Sequence, residues 1–448
     1  MKSTTQFLCS QCGYVSSKWL GRCPDCGSWN SFTEEKIEDK KAVSKDGSQY
    51  SSKALSDIPY DTEFRFESGI PELDRVLGGG IVRSSSVLVG GEPGIGKSTL
   101  LLQVVAACSA RRKVLYVSGE ESASQIRQRA ERLGLGLEGI NIFCETKLER
   151  ILSVLKSEKP QIAVIDSLQT LATDELTSVA GSVTQIRNCC MEITSLCKAI
   201  GTAVFFIGHV TKEGTLAGPK IIEHMVDTVL YFEQASLGVR IVRSAKNRFG
   251  SVDEIGIFTM NAAGLEGVKD PASFFISERK ESMLPPGIAY TAITEGTRTF
   301  LVEIQALVVE AKSGYSRVYS DRIDSSRVLR VCAILERHAG IRMTDKDIYV
   351  NVAGGIKVNE VSVELALALA LWSAFSETNL PAKMVSFGEL SLAGEVRPVN
   401  YGDRRLRAAA EMGFDKAMVP ASMKFEKNNV LLKRCQKIRD AFARADRT

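Results

Sequence analysis

Residues Gly91-Glu92-Pro93-Gly94-Ile95-Gly96-Lys97-Ser98-Thr99 decide the fold of this chain. The first eight fit the pattern GxxxxGK[ST], and the flanks supply the context that the pattern needs: a strand-like run at 86–89 before it and an amphipathic helical run at 98–109 after it. Glycines let consecutive backbone N–H groups wrap a phosphate at a helix N-terminus, where the helix dipole also favours negative charge. In such a loop Lys97 reaches the β- and γ-phosphates, and the Ser98 hydroxyl ligates Mg2+. The stretch from Gly91 to Thr99 therefore implies ATP and Mg2+ as ligands.

Outward from this loop, short β-branched runs at 86–89, 114–117, 162–165, 203–207, 228–232 and 239–244 alternate with amphipathic stretches. That alternation predicts a parallel α/β sheet. The run Ile162-Ala163-Val164-Ile165 ends in Asp166, which puts a carboxylate at the carboxyl edge of the sheet, beside the metal. An Asp after a strand also serves as a plain helix cap. After the run at 114–117 comes Ser118-Gly119-Glu120-Glu121, in which Glu120 is the candidate for the base that orients the attacking water. Glu121 is its rival, and a solvated acid at a helix start is the plainer alternative.

Further out, Cys9-Ser10-Gln11-Cys12 and Cys23-Pro24-Asp25-Cys26 form two CxxC pairs. Their spacing lets both sulfurs of each pair face one ion, and Cys9, Cys12, Cys23 and Cys26 together close a tetrahedral Zn2+ site. Such a closed site is structural, because it leaves no position for water. Residues 7–32 thus read as a zinc module and the polar stretch 33–55 as a linker. An α/β domain spans 56–270, and a second spans 285–448 after Asp270-Pro271 and Pro285-Pro286-Gly287. The second is expected to hold strands near 299–309 and 347–352 and helices near 325–338 and 361–375. With 448 residues, 44% hydrophobic and 25% charged, the composition is that of a globular protein of several domains. A net charge of +4 does not by itself point to nucleic acid. The lack of a secretory signal or an apolar run of about 20 residues leads to the expectation of a cytoplasmic protein without a membrane partner.

Ser68-Gly69-Ile70-Pro71-Glu72-Leu73-Asp74-Arg75-Val76-Leu77-Gly78-Gly79-Gly80 resembles the entry to RecA-type ATPase domains, and Lys246-Asn247-Arg248-Phe249-Gly250 matches the KNRFG signature of the RadA (Sms) family of bacterial repair proteins. Gly388-Glu389-Leu390-Ser391-Leu392-Ala393-Gly394-Glu395-Val396-Arg397-Pro398 resembles part of the Lon protease domain. The fold class implied is α/β: a RecA-like P-loop ATPase core with an N-terminal four-Cys zinc module and a C-terminal Lon-protease-like α/β domain. By this resemblance Lys246 and Arg248 reach from one subunit toward the γ-phosphate held by the next, although a basic turn after a strand would look the same. His209 falls where RecA-like proteins sense the γ-phosphate, or is simply structural. Residues 173–181 and 211–220 occupy the places of DNA-binding loops, with Lys212 and Lys220 as phosphate contacts or as solvated lysines. Ser362 falls where a Lon-type nucleophile would. Counting from Pro398 puts the Lys partner at Asp403, followed by Arg404, and neither can serve as a neutral amine. The domain is therefore expected to be a proteolytically inactive scaffold for oligomerisation or extra DNA contact, with Arg317, Arg322, Arg327 and Arg330 as a candidate basic patch or a solvated face.

The resemblance implies a DNA-dependent ATPase of homologous recombination and break repair. Such a protein would form a ring, usually a hexamer, translocate on single-stranded DNA and promote branch migration of strand-exchange products made by the RecA recombinase. Its partners would be single-stranded and branched DNA, RecA and further copies of itself. An ATP-dependent protease and a nucleotide-operated signalling switch are the alternatives.

Overall fold

The computed structural model describes residues 4–9, 14–25, 27–37, 54–57, 64–209, 221–235, 238–268, 276, 281–311 and 316–445. They divide into two compact units, one ending at residue 267 and one beginning at residue 268, with residues 235–239 grouped with the second. None of the helices among the described residues is long and apolar enough to cross a membrane.

At the N-terminus, β1 (Thr4–Cys9) lies between β2 (Val15–Ser16) and β3 (Phe32–Ile37) in an antiparallel sheet. The Cys9 N–H donates to the Tyr14 carbonyl and the Cys23 N–H to that of Ser28, each at 2.9 Å. The first cysteine of each CxxC pair thus makes the same backbone bond to the residue five positions on, while Cys12 and Cys26 lie outside the described residues. β3 runs on to Ile37, past residue 32, because it pairs residue for residue with β1.

The next unit contains β4 (Arg65–Phe66), α1 (Pro71–Val76), β5 (Ile81–Val82), β6 (Ser86–Gly91), α2 (Lys97–Ser109), β7 (Val114–Ser118), α3 (Ala123–Arg132), β8 (Ile140–Cys144), α4 (Leu148–Glu158), β9 (Ile162–Asp166), α5 (Val183–Ile200), β10 (Ala203–His209), α6 (Ile221–Met225), β11 (Thr228–Gln234), β12 (Val239–Asn247), β13 (Ile255–Asn261) and β14 (Gly264–Gly267). The main sheet has the order β14-β13-β12-β11-β6-β10-β9-β7-β8. From β11 to β8 every neighbouring pair is parallel. β12, expected as one more parallel strand, instead runs antiparallel to β11, because a connection of a few residues can only make a hairpin. α1, α2 and α3 pack their apolar residues on one face of the sheet, and α4, α5 and α6 on the other. The helix after the P-loop, amphipathic by expectation, is in fact buried on most sides, through Leu100, Leu101, Leu102, Val104, Val105 and Cys108.

The C-terminal unit holds β15 (Ile288–Glu295), β16 (Arg298–Glu310), β17 (Val318–Ser320), α7 (Ser325–Ala339), β18 (Lys346–Val352), α8 (Glu364–Ser376), β19 (Met384–Ser386), the small hairpin β20 (Glu389–Leu390) and β21 (Val396–Arg397), α9 (Gly402–Glu411), β22 (Lys416–Pro420), β23 (Leu431–Cys435) and α10 (Ile438–Ala445). Its larger sheet has the order β17-β18-β16-β15-β19-β22-β23, antiparallel from β18 to β15 and parallel from β15 to β23. The expected strands and helices are all present. The helix anticipated from residue 361 starts at Glu364, after a 3-10 turn at Val361–Val363.

Candidate active site

β6 is buried along its whole length and delivers Gly91 to the carboxyl edge of the sheet. Gly96, at φ +115°, turns the chain into α2, and this backbone conformation requires glycine. Glu92, Pro93 and Gly94 are exposed, Ile95 is buried, and Ser98 and Thr99 are partly exposed at the first turn of α2. Arg240 of β12 braces the loop, its Nε donating to the Ile95 carbonyl at 3.2 Å. Lys97 is only 4% exposed. Its ammonium folds back over the loop and donates to the carbonyls of Gly91 (2.8 Å) and Glu92 (2.9 Å). Burial lowers the Lys97 pKa to about 8, against the opposing pull of Asp166, Glu120 and Glu92.

The carboxylates come from the neighbouring strands. β9 ends in Asp166, which is buried, and β7 pairs with it so that Ser118 lies opposite Asp166. The Gly119 N–H then donates to the Asp166 carbonyl at 2.8 Å. A Cβ on Gly119 would run into the Thr170 side chain, so only glycine lets the two chain segments approach this closely. The following pair of acids separates clearly. Glu120 accepts a hydrogen bond from the Ser167 hydroxyl, next to Asp166. Glu121 turns away into an ion pair with Arg129 of α3 at 2.8 Å. β10, between β6 and β9, ends at His209, whose backbone is in register with Gly91. The His209 side chain, Lys212 and Lys220 lie outside the described residues. So Lys97, Asp166 and Glu120 converge at the carboxyl ends of β6, β9 and β7, with Ser98 and the exposed crest of the loop beside them. This donor set fits a nucleotide phosphate and Mg2+: backbone N–H groups, one ammonium, one hydroxyl and two carboxylates.

Sequence reading missed Tyr116, buried in the middle of β7, where it looks like ordinary core. Its hydroxyl donates to Asp166 Oδ2 at 2.5 Å and accepts from Arg129 Nη2 at 3.4 Å. Burial first, and the Asp166 carboxylate second, hold this hydroxyl well above the usual tyrosine pKa, so it stays a donor.

Lys246 and Arg248 lie on the far side of β11. The Lys246 ammonium caps α6, donating to the carbonyls of Glu223 (2.8 Å), His224 (3.2 Å) and Val226 (2.7 Å). Arg248 is 61% exposed, with its Nε 3.9 Å from Asp227. The rest of the motif makes contacts within this chain. Asn247 accepts from the Phe249 N–H at 2.9 Å, and Arg65 donates to the Phe249 carbonyl at 2.7 Å. Gly250 packs on Gly78, where a Cβ would stand 2.9 Å from the Gly78 Cα. The stretch 173–181 carries two acids and no cation. The buried Gln185 amide holds it, accepting from the Thr173 N–H (3.0 Å) and donating to the carbonyls of Thr173 (3.1 Å), Leu176 (3.4 Å) and Ser178 (2.8 Å).

In the C-terminal unit the side chain facing the buried Ser362 is neither Asp403 nor Arg404. It is Arg405, 2% exposed, whose Nη1 donates to Ser362 Oγ at 3.1 Å and whose guanidinium pairs with Glu360 at 2.7 Å and 2.9 Å. The count from Pro398 stops short because α9 begins at Gly402 and buries Arg405 on its inward face. Asp403, in the first turn of that helix, accepts the Glu426 N–H at 2.9 Å instead. Of the arginines expected as a basic patch or a solvated face, Arg327 and Arg330 bond to groups of their own unit: Arg327 to the carbonyls of Asn359 and Glu360 at 2.7 Å, Arg330 to the buried Glu364. Arg322 pairs with Asp321 at 3.1 Å, and the Arg317 backbone is held by Asp347.

Known proteins match this architecture along the chain. Family models match residues 7–34 (rubredoxin metal binding domain), 66–143 (the KaiC ATPase model) and 320–423 (subunit ChlI of Mg-chelatase). A protein described as DNA repair protein RadA from Treponema pallidum is 48% identical over 429 residues, covering 95% of this chain and 94% of its own length. Proteins of the same description from Aquifex aeolicus and Pseudomonas aeruginosa are each 44% identical, covering 95% and 94% of this chain and 95% and 93% of their own lengths. A KaiC-like protein from Pyrococcus horikoshii, of solved structure, shares 22% identity with a TM-score of 0.39 over 46% of this chain and 98% of its own, too slight a likeness to add to these.

Proposed function

Because the chain belongs to the RadA family of DNA repair proteins, we propose that its ATPase domain is a DNA-dependent motor of homologous recombination and break repair. In this reading the chain assembles with further copies of itself into a ring on single-stranded DNA and promotes branch migration of strand-exchange products made by a recombinase. The observation that carries the hydrolytic part is the convergence of Lys97, Asp166 and Glu120 at the carboxyl edge of the sheet, from β6, β9 and β7. With nucleotide bound, Lys97 would leave the loop carbonyls for the β- and γ-phosphates, Ser98 and Asp166 would hold Mg2+, and Glu120 would orient the attacking water. Mg2+ supplies charge neutralisation of the phosphates. Lys246 and Arg248 serve a neighbouring subunit's site once Lys246 releases the α6 carbonyls. Cys9, Cys12, Cys23 and Cys26 hold Zn2+, which folds a module too small to bury a sufficient core.

The C-terminal unit is read as a scaffold without peptidase activity. A guanidinium is a hydrogen-bond donor only and offers no lone pair to the Ser362 proton, and the Arg405 donors already hold that hydroxyl and Glu360. ATP hydrolysis with and without single-stranded DNA, at fixed salt, tests the proposal in the intact protein, Lys97→Ala and Lys246→Ala. The expected result is stimulation by DNA that both variants lose, with Lys246→Ala still binding nucleotide. An ATPase rate indifferent to DNA, with phosphate appearing on the protein, would instead favour a nucleotide-operated switch.

A further inference from the structure

We propose that Tyr116 and Arg129 form a buried positioning pair that fixes the orientation of the Asp166 carboxylate toward Mg2+. The proposal rests on the reading of Asp166 as a metal ligand given above.

The terminal torsion of an aspartate is broad, so the backbone of β9 places the Asp166 carboxyl group without fixing its plane. Here one oxygen is tied. Tyr116 comes from β7, the strand paired with β9, and its hydroxyl reaches Asp166 Oδ2 at 2.5 Å from the fully buried side of the sheet. With Oδ2 held in this way, Oδ1 would be the oxygen left to face Mg2+. The same hydroxyl accepts from Arg129 Nη2 at 3.4 Å, and Arg129 Nη1 is held by Glu121 Oε2 at 2.8 Å. Glu121 in turn is fixed at its backbone by Ser118, whose hydroxyl donates to the Glu121 carbonyl at 2.9 Å and accepts the Glu121 N–H at 3.0 Å. A continuous chain therefore runs from the start of α3 to the Walker-type carboxylate, and every link has a definite donor.

Two features separate this from ordinary packing. Phenylalanine would fill the core of β7 as well as tyrosine without placing a hydroxyl in a fully buried site. Arg129 also leaves its Nε buried with no hydrogen-bond partner among the described residues, a cost that an apolar side chain would avoid. The pair is not proposed to touch nucleotide. It acts through Asp166, as hydrogen-bonded carboxylates around metal sites generally require.

The test uses the full-length protein and a fluorescent ATP analogue, titrated in EDTA and over a range of Mg2+, with hydrolysis rate against Mg2+ in parallel. Tyr116→Phe should bind the analogue in EDTA as the wild type does, yet need about 10- to 100-fold more Mg2+ for the metal-dependent gain in affinity and rate. Arg129→Lys, which keeps the charge for Glu121 but gives up the fork, should show a smaller shift in the same direction. Should Tyr116→Phe not fold, as judged by its thermal melt, Arg129→Lys decides alone. An unchanged Mg2+ midpoint in Tyr116→Phe, or an equal loss of affinity in EDTA and in Mg2+, overturns the proposal. A wild type with no Mg2+-dependent gain would overturn the nucleotide reading and this inference with it; a wild-type gain that Tyr116→Phe retains overturns the inference alone.

Discussion

At the scale of single residues, the pair Glu120 and Glu121 shows how neighbours of one chemical type acquire different tasks. Both follow the same strand, and nothing in the sequence ranks them. The turn at Gly119 brings Glu120 against Ser167, while Glu121 is committed to Arg129. Glu120→Gln should therefore lower the single-turnover hydrolysis rate by about 10²- to 10⁴-fold with nucleotide binding retained. Glu121→Gln should have a much smaller effect; equal losses in both variants would remove the distinction. Lys97, Ser98 and Asp166 were legible because motif spacing is a property of contiguous chain. Tyr116 was not, because a tyrosine in an apolar run reads as core until the strand beside it is known.

At the scale of elements, α5 and the stretch before it show the two uses of one helix. Its inner face carries Cys189, Cys190 and Cys197 into the core, where burial pushes all three thiols up to about 12. The thiolate is the reactive form, so at pH 8 these three should resist iodoacetamide in the native protein and react only on unfolding. Cys144, exposed at the end of β8, should be alkylated first, as peptide mapping by mass spectrometry can follow. Near the N-terminus of the same helix, Gln185 holds residues 173–181, the stretch anticipated as a DNA-binding loop. β6, β7, β9, β10 and β11 could be read from their periodicity, whereas β8, only partly buried at the sheet edge, was not. The direction of β12 could not, since strand direction follows from the length of the connection and the place left in the sheet.

At the scale of the whole molecule, the two compact units each have their own buried network, so substitutions should report on them separately. Gly250→Ala drives a methyl group against the Gly78 backbone in the first unit, and about 1–3 kcal/mol of stability should be lost. Arg405→Ala strips the partner from Glu360 and Ser362 in the second, with a loss of about 3–5 kcal/mol. In calorimetric unfolding each variant is expected to shift a different transition; a common shift would mean that the units unfold as one. The sequence by itself determined the phosphate loop, the carboxylate that ends β9, the paired CxxC turns and the order of domains, because each is written in residues adjacent in the chain, where local backbone geometry decides the chemistry. Only the tertiary structure decided that Arg405 rather than Asp403 faces Ser362, that Lys246 caps α6, that Arg327 and Arg330 turn inward, and that Tyr116 reaches Asp166. Those are contacts between residues far apart in sequence, set by strand pairing and by the need of every buried charge for a partner.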